Sequence, residues 1–74
     1  MKNYNCRIKE LREDNDKSQK EIATMLKTTQ QYYSQYENQK RKMPIEHLIT
    51  LCLYYGVSAD YILGLPKGLK YPDR

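Results

Sequence analysis

The stretch from Ser18 to Asn38 constrains this chain most, because it holds two short amphipathic segments with no Gly or Pro between them. Ser18 is an N-cap candidate, and Glu21 three residues on completes a capping box that satisfies two orphan amides. Ile22, Met25 and Leu26 then fall on one helical face. Lys27-Thr28-Thr29 interrupts that pattern, and either Thr28 or Thr29 is placed to cap a second helix. In that helix, from about Gln30 to Glu37, Tyr33 and Tyr36 lie three apart and share a face. Gln30, Gln31, Ser34 and Gln35 point elsewhere. An apolar back and an amide-rich front suit the floor of a DNA major groove, where one glutamine amide pairs with adenine N6 and N7 together.

The flanking sequence extends this into an all-α chain. Neither Gly nor Pro occurs before Pro44, and no strand-like alternation appears. A first helix is predicted from about Asn5 to Asp14, with Ile8 and Leu11 inward and Tyr4 or Cys6 extending the stripe. Asn15-Asp16 breaks it, with Asn15 expected in a left-handed C-cap. After the basic segment Asn38 to Met43, Pro44 is placed in the first turn of a fourth helix. There Ile45, Leu48, Ile49 and Cys52 recur at i, i+3, i+4 and i+7 as the inward face. Gly56 is the expected C-cap, with Val57 as the following apolar contact. Ser58 caps a fifth helix, Ala59 to Leu63, ended by Gly64 and Pro66. Residues 1–66 therefore read as one domain, and 67–74 as a mobile tail. Helices this short are held by packing more than by propensity.

Together these residues resemble the Cro/CI-type (XRE-like) helix-turn-helix proteins, in particular the DNA-binding domains of lambdoid phage repressors. Ala23 stands where that family carries a small residue because its two helices nearly touch. Tyr33 and Tyr36 occupy its usual apolar positions, ten and thirteen residues later. Thr28-Thr29-Gln30-Gln31, followed by Gln35 and Glu37-Asn38, is similar to its recognition helix. The resemblance covers roughly residues 4 to 65. It implies a compact five-helix, lambda-repressor-like fold and a sequence-specific transcriptional regulator, a repressor of bacterial or phage type. The matching glutamines of the family meet bases, so Gln30, Gln31 and Gln35 are the base-contact candidates, with Ser34 on the same side. The resemblance assigns Gln19 to a phosphate and to bracing the first recognition-helix residue.

Lys40, Arg41 and Lys42 are expected along the DNA backbone, Arg41 or Lys42 near a narrow minor groove, with solvation as the bland alternative. Thr29 and Asn38 complete the phosphate set, although Asn38 also suits a helix cap. Arg12 and Glu37 match residues that the family pairs in a partly buried salt bridge between its first and third helices. Tyr32 departs from the small residue usual there, and its ring either packs on a thymine methyl or folds over the helix. Gln39 replaces a customary Gly, and Asp16-Lys17 replace a Gly and an apolar residue.

Charge agrees with a polyanionic partner. The 74 residues carry a formal +4, and between Gln19 and Lys42 five basic residues face two acidic ones. Paired carboxylates, Gly-rich loops and metal-ligand spacings are missing from the sequence, so no enzyme, cofactor or metal is expected. Cys6 and Cys52, without a CxxC, are expected as buried or half-buried reduced thiols. His47 reads as solitary on the outer side of the fourth helix. The eight tyrosines suggest either a stacking surface for single strands or core and rim packing. Tyr33, Tyr36, Tyr55 and Tyr61 on predicted inward faces favour packing. No apolar run approaches 18 residues and the N-terminus is polar, so a cytoplasmic protein is expected.

The expected partner is double-stranded DNA carrying a palindromic operator, bound by a homodimer that forms at least on DNA. Its contact is sought near Val57, Tyr61, Ile62 and Leu65. The rival reading keeps the fold but changes the partner: a protein-interaction module or an antitoxin, with a toxin bound. The glutamines speak against it and Tyr32 for it. A small-molecule sensor is the third reading, disfavoured because so short a bundle has little room for a pocket.

Overall fold

Four of the five helices begin at a side-chain cap, which is why they start where they do. The computed structural model describes residues 3–70, 72 and 73. Among them are α1 (Tyr4–Asp14), α2 (Gln19–Met25), α3 (Gln30–Glu37), α4 (Ile45–Tyr55) and α5 (Ala59–Leu63), with no strand. The side chains of Asn3, Ser18, Thr29 and Ser58 accept from the amides of Cys6, Glu21, Tyr32 and Tyr61. At α2 the capping box is complete: Ser18 N donates to Glu21 Oε1 at 3.1 Å and Glu21 N to Ser18 Oγ at 3.0 Å. Thr29, not Thr28, caps α3. Pro44 sits one residue outside α4, at the N-cap instead of in the first turn, and gives no side-chain bond.

Every helix closes at a residue of positive φ. Asp16, Lys27 and Gln39 end the first three (φ 56, 60 and 62°), and Gly56 and Gly64 the last two (φ 69 and 72°). Each supports a backbone bond from the following amide to a carbonyl five residues back, such as Lys17 N to Arg12 O and Thr28 N to Ala23 O. The left-handed residue after α1 is Asp16; Asn15, expected there, has φ −99°. Its side chain donates instead to the Leu11 carbonyl at 2.7 Å, which holds its own backbone close to the helical region.

The core comprises Ile8, Leu11, Ile22, Ala23, Leu26, Tyr33, Tyr36, Leu48, Leu51 and Ile62. α2 packs on α3, α1 on both α3 and α5, and α4 on α5. Each fully enclosed aliphatic side chain contributes about 1.5–3 kcal/mol relative to exposure. Two buried polar groups join it: Asn5, whose amide donates to the Tyr36 carbonyl, and Glu37.

Several expectations are corrected. On α4 the inward stripe is Leu48 and Leu51, with Cys52 and Tyr55 half-buried, whereas Ile45 and Ile49 are 65% and 55% exposed. The helix is apolar on most sides, so a stripe beginning at Ile45 and one beginning at Leu48 read alike in sequence. Ile62, expected at a dimer contact, is fully enclosed in the core, and Tyr61 is exposed with the Arg7 guanidinium over its ring. Cys6 is exposed because it points away from the Ile8 and Leu11 face; Cys52 is half-buried as expected. His47 is not solitary: its Nδ1 lies 3.2 Å from the Tyr36 hydroxyl. The tail expected from residue 67 to 74 falls partly outside the described residues.

Candidate nucleic-acid interface

The three enclosed residues of α3, Tyr33, Tyr36 and Glu37, fix which way the helix faces. Its other side carries Gln30 and Gln31, both exposed, and Ser34 and Gln35, both half-buried. With Gln19 at the start of α2, these four line one open notch of about 590 Å³. Four amides and a hydroxyl thus meet in one concavity, each able to donate and accept, which suits base edges more than an apolar ligand.

Behind the notch a polar anchor holds α3 in place. Arg12 Nε donates to Glu37 Oε2 at 2.7 Å and its Nη2 to Oε1 at 3.1 Å, while its Nη1 donates to the Lys17 carbonyl at 2.9 Å. One guanidinium therefore ties α1, the α1–α2 turn and α3 together. Gln19 Nε2 adds a third bond to Glu37, at 3.1 Å. The Glu37 side chain is 1% exposed and that of Arg12 13%. Burial alone would raise the Glu37 pKa, but the hydrogen bonds from Arg12 and Gln19, with the nearby Tyr33 hydroxyl dipole, outweigh it and hold the carboxyl below its ordinary range. The same pairing raises Arg12. Burial pushes Tyr33 up and Tyr55 up to about 12, and among the described residues neither hydroxyl has a hydrogen-bond partner.

Gln19 is thus committed through one N–H to Glu37 instead of bracing Gln30, with its second N–H and its oxygen left over. Thr29 is exposed and spends one lone pair on capping, so its hydroxyl hydrogen is free to donate. Asn38 Nδ2 donates to Ser34 Oγ at 3.1 Å. Lys40, Arg41 and Lys42 are all exposed, and Gln39 takes the left-handed conformation that a Gly would adopt more cheaply. The Lys40 and Arg41 amides both donate to the Gln35 carbonyl, at 2.9 and 3.3 Å, so neither is left for a phosphate.

The Tyr32 ring meets the Arg41 guanidinium, 4.4 Å from the centroid. That pairing and the Asn5 anchor were not read from the sequence. The nine-residue separation of Tyr32 and Arg41 fits no helical period, and a buried Asn on an otherwise apolar face gives no local signal.

The helix-turn-helix domain family matches residues 5–67. The chain belongs to that family. Its XRE-like helix-turn-helix comprises α2, the Lys27-Thr28-Thr29 turn and α3. The "Uncharacterized HTH-type transcriptional regulator YobD" of Bacillus subtilis (strain 168) is 34% identical over 62 residues, covering 84% of this chain and 55% of the relative. The helix-turn-helix chain thus spans about half the length of the curated relative it matches. Among its described residues no cluster of three or more His, Cys, Asp or Glu could hold a metal ion. No helix there is long and apolar enough to cross a membrane.

Proposed function

We propose that this chain is a sequence-specific DNA-binding transcriptional regulator that lays α3 in the major groove and acts as a repressor. The single observation that carries the reading is the shared notch of Gln19, Gln30, Gln31, Ser34 and Gln35 on the open side of the helix-turn-helix. Gln30 and Gln31 open the recognition helix, the end that reaches base edges, and read adenines; Ser34 and Gln35 extend the contact one turn on. Gln19, Thr29, Asn38, Lys40, Arg41 and Lys42 serve the phosphates on either side. Family membership and the name of the related regulator support the same reading.

One motif spans few base pairs, so specificity calls for two copies on a palindrome, with half-sites about 34 Å apart. In this reading the protein works in the cytoplasm as a homodimer on DNA, residues 1–66 forming the binding domain. With Ile62 enclosed, Tyr61 and Leu65 are the exposed residues left for that contact. The exposed Ile45, Ile49 and Leu53 on α4 favour a second reading, in which a protein such as a toxin docks on the same domain.

Selection from a random duplex pool at about 150 mM salt tests the proposal, because specific and non-specific binding separate there. Enrichment of a two-fold symmetric site with adenines in each half is the expected result. Binding that responds to salt but not to sequence would overturn it.

A further inference from the structure

Arg41 leaves the basic segment and returns over the recognition helix. Its guanidinium stacks on the Tyr32 ring, and its Nε donates to Gln35 Oε1 at 2.9 Å. Tyr32 and Gln35 are three residues apart on α3 and so are surface neighbours. The Arg41 amide is itself bonded to the Gln35 carbonyl. Three contacts thus set the plane of an exposed arginine before any ligand arrives, which reduces the ordering cost of binding.

We propose that Arg41 is a base-reading residue that forms, with Gln35, a donor pair selecting guanine in the major groove. The inference rests on the reading of α3 as the groove helix. The stack occupies one face of the guanidinium, and the Gln35 bond uses Nε–H. Among the described residues no protein acceptor is bonded to the two terminal nitrogens. They form the fork that matches guanine O6 and N7. Gln35 presents the same sign. Arginine Nε only donates, so the Gln35 atom facing it is the oxygen and the NH₂ group turns outward. Guanine offers two acceptors in the major groove, whereas adenine offers one acceptor and one donor, and its N6 donor would oppose this pair. Phosphates are already served by Lys40 and Lys42, whose exposed ammonium groups need no fixed plane. Arg41 is thereby moved from the DNA backbone to a base, and Gln35 from adenine to guanine.

The test compares the full chain with Arg41→Lys, which keeps the charge but loses the fork, and with Gln30→Ala. Both side chains are exposed, so circular dichroism is expected to show unchanged folding. The wild-type chain is expected to select one guanine per half-site at the Arg41 position. Replacing it with 7-deazaguanine, which lacks the N7 acceptor, is expected to weaken wild-type binding about ten- to hundredfold and Arg41→Lys binding markedly less, since a single ammonium beside the Gln35 amide keeps only part of the contact. The salt slope of Arg41→Lys is expected to match the wild type. If Arg41→Lys keeps the wild-type motif and affinity while Gln30→Ala loses its own base preference, Arg41 is a phosphate contact and only this inference fails. If the wild-type chain selects no motif, the groove reading falls with it.

Discussion

Glu37 is enclosed, charged and bonded to both Arg12 and Gln19, so its ionised state belongs to the folded structure. Its folded pKa lies below its unfolded value, so protons bind preferentially to the unfolded chain at low pH. The stabilisation is therefore complete at neutral pH and is lost as pH falls through and below the ordinary carboxylate range. Denaturant unfolding measured from pH 7 to 3 is expected to show that loss; a flat profile would remove Glu37 from the account. Glu37→Ala strands the Arg12 guanidinium and is expected to cost about 3 kcal/mol, most of it recovered when Arg12→Met is added, because the orphaned charge is then gone. The unbonded Tyr55 hydroxyl works in the opposite direction. Tyr55→Phe is expected to hold or raise stability by about 1 kcal/mol, read from the same curves. At the groove, Gln30→Ala is expected to cost about 1–3 kcal/mol on its preferred site and to relax preference at one base pair.

At the level of helices, much was written in the chain. The capping box at Ser18 and the α5 boundaries follow from local side-chain chemistry, and the structure places them as read; of the two candidate caps for α3, Thr28 and Thr29, it takes Thr29. The glutamine face was legible for a related reason: Tyr33 and Tyr36 on one side of a short helix leave the other side open. The α4 face was not legible, since Ile45, Ile49 and Leu53 offer the same spacing as the stripe that packs, and only the tertiary fit chooses between them. The turns were partly hidden because three of the five left-handed helix ends lack Gly. That leaves a measurable reserve. Lys27→Gly and Gln39→Gly each relieve a left-handed strain of about 1 kcal/mol, reduced by the extra freedom glycine gives the unfolded chain. A net gain in midpoint denaturant concentration is expected for each; a loss would mean that the native side chains make contacts worth more than the strain.

Across the whole molecule, the positive excess gathers around the helix-turn-helix, and binding is expected to follow it. Lys40→Ala should weaken all duplexes alike and lower the slope of log affinity against log salt by about 1, as one phosphate contact is lost. A change confined to one sequence would instead make Lys40 a base reader. The double claim that Lys40 and Arg41 make on the Gln35 carbonyl has a further effect, in time. Their amides are expected to take up deuterium with the slow set of α3, while Lys42, whose amide has no bond among the described residues, exchanges quickly. The first half of the basic segment is therefore expected to open only when the end of α3 opens. Its opening is expected to follow the local unfolding of α3 and not the nanosecond motion of a loop.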